Sequence, residues 1–202
     1  MKLELPLNRN FPYGRLIFFA TGNLHKFNEA RRILAEYDIA VAMLKVKKLE
    51  IQDENLENVA KTSALNIIRE TNLPIIVEDA GLFIEALNGF PGPYSSYVYQ
   101  TLGIAGILKL LGGIENREAT FKSAVAFCNP SGDLKYFQGT VKGRIAKKPR
   151  GSSGFGFDPI FEPKELPEKT FGEMTVDEKS RFSHRARALR RFAEWYKRWR
   201  KM

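Results

Sequence analysis

Short apolar runs and stripes of helical spacing alternate along the first half of the chain. The runs at 15–20, 39–48 and 74–77 predict buried strands, because each is short, apolar and bounded by polar or small residues. Apolar residues recur at helical spacing within 21–37 and 55–69, so these segments predict helices between the strands. Strands that alternate with helices indicate an α/β fold.

The pattern becomes richer in strands after residue 100. A helix is predicted at 101–111, where two glycines follow the last apolar residue. The segments 120–128, 134–139 and 140–146 then predict an antiparallel meander. We therefore expect an α/β first half joined to a β-rich middle.

Two helices are predicted near the end of the chain. TVDE at 175–178 has the form of a capping box that opens a short helix. Ser183 caps a second helix, whose apolar and aromatic face is expected to belong to the core. We expect an irregular leader at 1–14 and one domain at 15–202, since no repeat or linker separates the parts.

Two adjacent carboxylates, Glu78 and Asp79, follow the predicted strand 74–77. The sequence suggests that the strand stops there and that the chain turns at Gly81. Carboxylates at the end of a buried strand lie where α/β proteins bind ligands, although a solvated turn is an equal alternative. A loop rich in glycine and proline, NGFPGPYSSY, comes next.

The segment TGNLHK, at 21–26, is a candidate anion site. It joins a predicted strand to a helix start, where backbone N–H groups and the positive end of the helix dipole attract anions. Asn23 suits the N-cap position, and Lys26 adds a positive charge. The spacing is not that of a P-loop, and an ordinary capped helix is the alternative interpretation.

The loop GSSGFGFDPIF, at 151–161, is the second unusual segment. Its glycines let the backbone approach a ligand, Phe155 and Phe157 offer stacking faces, and Asp158 is fixed before a proline. The alternative is a glycine-rich strand edge with two core phenylalanines. Three basic residues lie before or at the start of the last helix, where positive charge opposes the helix dipole: Lys179, His184 and Arg185. Either an anionic ligand or chance would explain this placement.

Composition excludes several classes of protein. No apolar run approaches the roughly 20 residues of a membrane span, and the start lacks the apolar segment of a signal peptide. The single cysteine, Cys128, excludes an intrachain disulfide, so a cytoplasmic location is expected. The net charge is +9, but residues 179–202 hold ten Lys/Arg and one acid, so the rest of the chain is neutral.

Four blocks, taken together and in order, resemble the inosine/xanthosine triphosphate pyrophosphatases. They are TGNLHK, VEDAGLFIEALNGFPGPYS, GFGFDPIF and TFGEMTVDEKSRFSHR, and the resemblance covers about residues 16–192. It implies an elongated mixed sheet flanked by helices, in two lobes with an active-site cleft between them. It also implies Mg²⁺-dependent cleavage of ITP, dITP or XTP into a monophosphate and pyrophosphate, by a homodimer.

The resemblance assigns roles to individual residues. Asp79 matches the catalytic carboxylate and a metal ligand, and Glu50 matches the second metal ligand. Glu78 is expected to share the metal through a water. The phosphate side is expected to be Thr21, Gly22, Asn23, Leu24, His25 and Lys26, with Lys179 as a second cation. The base side is expected to be Phe155, Gly156, Phe157, Asp158, His184 and Arg185.

Three positions depart from the family pattern. Ala80, also expected at the substrate, stands where serine is usual; Ala186 replaces a common glycine; and Phe157 replaces a common tyrosine. Two rival functions remain open. One is a nucleic-acid-binding protein that uses the basic C-terminal helix, although no nucleic acid is expected as a partner. The other is a phosphohydrolase of the same fold that acts on a different nucleotide.

Overall fold

A seven-stranded mixed sheet organises the protein. The computed structural model describes residues 16–46 and 51–200. The strands are β1 Leu16–Ala20, β2 Ala40–Leu44, β3 Ile75–Ile84, β4 Pro91–Gly92, β5 Glu118–Cys128, β6 Leu134–Ile145 and β7 Phe161–Pro163. Their order is β2-β1-β3-β5-β6-β7, and β4 pairs with β3. The α/β class predicted from the alternating pattern is confirmed.

Helices cover both faces of the sheet. They are α1 Leu24–Ala35, α2 Leu56–Thr71, α3 Ser95–Thr101, α4 Gly103–Leu110, α5 Val176–Phe182 and α6 His184–Trp199, with single 3₁₀ turns at Glu85–Leu87, Asp158–Ile160 and Phe171–Glu173. None of these helices in the described ranges is both long and apolar enough to cross a membrane. Helix α6 packs with α1 on one face, and α2 packs on the other.

The sheet changes from parallel to antiparallel at β3. Strand β1 runs parallel to β2 and β3, but its pairing with β3 covers only Phe18 to Ile75 and Phe19 to Ile76. All ten residues of β3 then pair antiparallel with β5. Because β1 ends at Ala20, no strand of the described residues pairs with β3 on that side between Val77 and Gly81, before β4 joins at Leu82. The chain can bring loops and a helix start to this point.

The prediction that β3 stops at Glu78 is wrong. Both carboxylates lie within the strand, where Glu78 pairs with Val125 and Asp79 with Ala124. Gly81 is not a turn residue: a Cβ there would overlap the carbonyl oxygen of Gly92 on β4. The close approach of β4, which lies beside Leu82 and Phe83, explains this glycine.

Three other boundaries differ from the prediction. The helix expected at 101–111 is α4, which begins at Gly103 with φ of +63°, and a further helix, α3, precedes it at Ser95–Thr101. The strands expected at 134–139 and 140–146 form one continuous strand, β6, because every residue from 134 to 144 pairs with β5. The expected second strand is shorter, and residues 47 and 48 lie outside the described residues.

The aromatic face of α6 belongs to the core, as its spacing predicts. Trp195 and Tyr196 lie 5.4 and 5.6 Å from the ring centre of Phe127 on β5. Phe192 also packs there, at 5.8 Å. This packing fixes α6 across the sheet and so positions the residues at its first turn.

The basic residues of α6 are largely occupied within the molecule. Arg187 and Arg191 donate to the backbone oxygens of Thr140 and Gln138 on β6. Arg190 donates to the backbone oxygen of Ser180 at 2.7 Å. Strand β7 pairs with β6 only from Gly143 onward, so the arginines cover carbonyl groups of an otherwise open edge. This finding weakens the nucleic-acid alternative, since the charges that would bind phosphates already have acceptors.

Replacing Gly139 tests how α6 is held. A Cβ at Gly139 would overlap the carbonyl oxygen of His184 and lie 2.5 Å from the backbone nitrogen of Ala188. We expect Gly139→Ala to lower the free energy of unfolding by about 3 kcal/mol, as overpacking a close contact does. Urea unfolding at pH 7 measures this change. Gly22→Ala is the matched control, because no atom lies within 4 Å of its added Cβ, and equal stability of the two variants would contradict the account.

Candidate functional site

The segment TGNLHK forms the turn between β1 and α1. Asn23 caps the helix, since its Oδ1 accepts from the backbone nitrogens of His25 at 2.9 Å and Lys26 at 3.1 Å. The backbone nitrogen of Asn23 in turn donates to Oγ1 of Thr21 at 3.1 Å. The capped-helix interpretation is therefore correct, and two of the N–H groups expected to face an anion are already used. Lys26 supplies the charge of this segment.

Successive side chains of β3 point to opposite faces of the sheet. Glu78 faces α1 and α6, because its carboxylate contacts Lys26 on α1 and Arg185 on α6. Asp79 therefore lies on the other face, together with Val77 and the residues that pack against α2. The two adjacent carboxylates therefore have separate surroundings.

Glu78 is fully buried and engaged by three partners. Its Oε1 accepts from Oγ of Ser123 at 2.7 Å and from Nε of Arg185 at 3.1 Å, and Nζ of Lys26 lies 2.9 Å from Oε2. Burial alone would raise the pKa of Glu78, but the charges of Arg185 and Lys26 outweigh it and hold this pKa well below its usual range. In this structure both carboxylate oxygens of Glu78 face cations, and the sharing of a metal through a water stays a prediction.

Glu78 is one member of a chain of six alternating charges, which we call the charge chain. Arg185 continues from Glu78 to Glu29 through its Nη1, and Nζ of Lys179 lies 3.0 Å from the other oxygen of Glu29. Lys179 also lies 2.8 Å from Oδ2 of Asp158. In order, the charge chain is Lys26, Glu78, Arg185, Glu29, Lys179 and Asp158.

Glu29 is the member that the sequence analysis missed. It lies on α1 three residues after Lys26, so the two side chains share one face of the helix. Burial would raise the pKa of Glu29, but Arg185 and Lys179 lower it to about 2. The spacing of Lys26 and Glu29 is the only local signal, and such pairs usually lie in solvent.

Lys179 lies beside the base-side residues rather than beside Lys26. Its ammonium group is buried and lies 5.1 Å from the ring centre of Phe155. Burial alone would lower the pKa of Lys179, but Asp158 and Glu29 raise it, so the group stays charged. The predicted place of Lys179 on the phosphate side is not where its contacts lie.

The glycine-rich loop places Phe155 and Asp158 as predicted but sends Phe157 elsewhere. The backbone nitrogen of Phe155 donates to Oδ2 of Asp158 at 2.8 Å, and Gly154, with φ of +75°, leaves room for that carboxylate. Gly156 turns the chain with φ of +63°, and Phe157 then enters the core. For Phe157 the core alternative is correct, so only Phe155 offers an accessible ring in this loop.

His184 lies in an aromatic stack at the start of α6. Its ring is nearly parallel to Phe121, with centroids 4.6 Å apart, and it is 3% exposed. Burial and the nearby charges of Arg185 and Lys179 lower the pKa of His184 well below 6.5, so the imidazole is neutral at pH 7. Within the described part of the chain, its Nδ1 has no hydrogen-bond partner. One polar atom of the predicted base side is thus held unpaired.

Asp79 marks the opposite face of the sheet. It is half-buried, and its strand partner Ala124 lines a cleft of about 540 Å³ that extends to Asp53 and Asn55 at the start of α2. Glu50, the other expected metal ligand, lies outside the described residues. The described residues contain no group of three or more side chains placed to hold a metal. Mg²⁺ requires only one or two carboxylates with phosphates and water, so the chemistry of this donor set fits.

Comparison with known proteins gives the family of this chain. A model of the Ham1 family matches residues 17–195. The chain belongs to the Ham1 family. It is 54% identical to a dITP/XTP pyrophosphatase of Methanopyrus kandleri, over 90% of this chain and 96% of that relative. It is 51% identical to a dITP/XTP pyrophosphatase of Thermococcus kodakarensis, over 89% of this chain and 96% of that relative.

Two solved structures share the Ham1 fold with this chain. A HAM1 protein from Coxiella burnetii superposes with a TM-score of 0.79 at 29% identity, over 91% of this chain and 98% of that protein. A nucleoside-triphosphatase / dITP/XTP pyrophosphatase from Mycobacterium abscessus gives 0.69 at 33% identity, over 88% and 98%. The Ham1-like fold expected from the four sequence blocks is confirmed.

The charge chain generates a pH prediction. The pKa of Glu29 is about 2 in the folded protein, below its ordinary value of 4.5, so its stabilising effect is present above pH 4.5 and is lost as the pH falls toward 2. We expect Glu29→Gln to lower the free energy of unfolding by about 3 kcal/mol at pH 7, because it leaves Arg185 and Lys179 under-compensated. The deficit should shrink between pH 4.5 and pH 2, as measured by urea unfolding.

The matched control is Glu36, which follows the last residue of α1. It is exposed and pairs with Arg190 at the surface. Glu36→Gln should change stability by no more than about 0.5 kcal/mol, as surface ion pairs do. A constant deficit of Glu29→Gln at every pH would contradict the assignment of a lowered pKa to Glu29.

Proposed function

We propose that this chain hydrolyses dITP, ITP and XTP to the nucleoside monophosphate and pyrophosphate. The observation that carries the proposal is the pair of free polar atoms that the charge chain leaves beside Phe155. The names of the close relatives in the Ham1 family, dITP/XTP pyrophosphatases at 51 to 54% identity, support the same substrate class. The proposed role in the cell is removal of these nucleotides from the precursor pool.

Base selection follows from which atoms the charge chain uses. Arg185 employs Nε and Nη1, and Asp158 employs Oδ2, so Nη2 of Arg185 and Oδ1 of Asp158 have no partner in the described ranges. Arginine only donates and a carboxylate only accepts. A 6-oxo purine presents an O6 acceptor and an N1–H donor, which match these two atoms, whereas adenine presents the reverse. Such a mismatch can reduce turnover of ATP by about 10⁴-fold.

The charge chain fixes these atoms before substrate arrives. Arg185 is 2% exposed and is held by two carboxylates from different elements, β3 and α1. Burial would lower the pKa of Arg185, but Glu78 and Glu29 raise it above its already high ordinary value. A donor that cannot rotate or lose its proton discriminates between bases without reorganisation. His184 adds a neutral ring nitrogen at the same helix start.

The phosphates are proposed to lie between the 21–26 turn and Asp79, with Lys26 as the nearby cation. Asp79 and Glu50 would hold Mg²⁺, which neutralises charge on the phosphates and on the attacking water when it is bound. Asp79 accepts the proton of that water or positions it. Ala80 has no hydroxyl to offer the substrate, so any contact there is made by its backbone.

The function is tested by measuring pyrophosphate release from dITP, ITP, XTP, GTP and ATP, each with Mg²⁺ and with EDTA. We expect fast, metal-dependent release from the inosine and xanthosine nucleotides and little from ATP. Release of orthophosphate instead would exclude this reaction. Fast turnover of only another nucleotide would support the alternative of a different phosphohydrolase of the same fold.

In the same assay, Asp79→Asn should reduce kcat by at least about 100-fold, which is the usual weight of a general base. Its unfolding curve should stay close to that of the unsubstituted protein. The matched control is Asp38→Asn, an exposed residue in the left-handed region that asparagine also tolerates. Near-normal turnover by Asp79→Asn would exclude its catalytic role.

A homodimer is part of the proposal. Tyr97 of α3 is 68% exposed, and Tyr94 and Leu102 beside it are more than 40% exposed. Aromatic side chains that cluster on a surface are typical of protein interfaces. We expect Tyr97→Asp to shift the protein from dimer to monomer in light scattering, while exposed Tyr136→Asp on β6 leaves the mass unchanged. A monomeric unsubstituted protein would exclude the dimer.

A further inference from the structure

The ring of His25 stacks on the ring of Phe155. Their centroids are 5.1 Å apart, and their planes differ by 21°. His25 belongs to the first turn of α1 and is exposed, whereas Phe155 belongs to the glycine-rich loop and is half-buried. Two segments that are far apart in sequence thus meet through aromatic side chains next to the charge chain.

This contact separates the side chain of His25 from the phosphate side on which its sequence position places it. Its backbone nitrogen is already used, since it donates to Oδ1 of Asn23. Its imidazole stacks on Phe155, which lies close to the base-side cations. Arg185 is 5.3 Å and Lys179 is 5.1 Å from the centre of the Phe155 ring. The side chain therefore belongs with the base side.

We propose that His25 is a base-contacting residue, whose imidazole and the Phe155 ring hold the purine base of the nucleotide between them. This inference rests on the proposed function, because it assumes a purine nucleotide. Every purine has a flat face that stacks on aromatic rings. The Phe155 ring, with His25 stacked on it and Arg185 5.3 Å from its centre, is where such a face would lie.

The rings must separate to admit a base. Aromatic layers in contact are about 3.5 Å apart, so a base between two rings needs centroids about 7 Å apart. The separation therefore has to grow by roughly 2 Å from its present 5.1 Å. Gly154 and Gly156 flank Phe155, both at positive φ, and the His25 side chain is exposed, so neither ring is locked by packing on all sides.

Stacking and edge recognition then have different effects on specificity. Rings bind every purine by its face, while Arg185 and Asp158 distinguish the purines by their edges. A stacking role for His25 therefore predicts that its loss weakens the binding of dITP, XTP and ITP to the same extent. A role in reading the base edge would instead change the ratio among substrates.

The test compares His25→Ala with His25→Phe, which keeps a ring, and with Asn28→Ala, an exposed residue of the same helix. We expect His25→Ala to raise KM for dITP, ITP and XTP about 10-fold, within the range of one lost stacking contact, with kcat changed less than about 3-fold. His25→Phe should restore KM to within about 3-fold of the unsubstituted enzyme. Asn28→Ala should match that enzyme.

Two further ligands separate the base from the phosphates. Inorganic triphosphate, as a competitive inhibitor, should bind His25→Ala and the unsubstituted enzyme equally, because it has no base. Inosine monophosphate, measured by calorimetry, should bind His25→Ala about 10-fold more weakly. If the unsubstituted enzyme does not cleave dITP, the proposed function fails, and the calorimetry still decides the role of His25.

Three results would overturn the inference. Unchanged KM and unchanged inosine monophosphate affinity in His25→Ala would show that the ring does not contact the base. A parallel loss of inorganic triphosphate affinity would return His25 to the phosphate side. Tighter binding in His25→Ala would show that the imidazole only occupies the Phe155 face in competition with the base.

Discussion

The ion pair between Glu78 and Arg185 is the constraint on which the site depends. It joins the middle of β3 to the first turn of α6, two elements that no backbone hydrogen bond connects. Removing two charges from water costs several kcal/mol for each, so the pair is stable only with further partners. Lys26 and Glu29 of α1 and Ser123 of β5 supply them. The pair therefore forms only when β3, β5, α1 and α6 are all in place.

A neutral chain of alternating charges suits an enzyme that binds a highly charged substrate. Each of the three cations of the charge chain faces a carboxylate, so the charge chain as a whole has no net charge. In the proposed function, base selectivity then depends on the polar atoms left over at Arg185, Asp158 and His184, while Lys26 lies next to the proposed phosphate side. Buried ion pairs add little stability compared with apolar packing, so their fixed geometry is the feature that benefits this site.

The sequence predicts the parts of the site that depend on local chemistry. The Asn23 cap and the class of fold both follow from short-range patterns. Glu29 could not be found in this way, because a lysine and a glutamate three residues apart are usually a solvated pair. The length of β3 was hidden for a related reason: two carboxylates and a glycine resemble a turn, and only pairing with β5 and β4 makes them a strand. The burial of Phe157 cannot be predicted locally, because it depends on contacts with the distant Tyr99 and with a cluster of buried residues that includes Ile107 and Phe161.

Side chains alternate between the two faces of β3, so its two carboxylates have different surroundings. Glu78 lies among cations that hold its pKa well below the usual range, so it stays ionised and cannot accept a proton at neutral pH. Asp79, one residue later, faces the other side of the sheet, where its strand partner Ala124 lines the cleft at the start of α2. Two adjacent residues of one type of group thus receive opposite environments from a period of two. The proposed proton acceptor of this strand is therefore Asp79 rather than Glu78, because the carboxylate of Glu78 is fixed between Lys26 and Arg185.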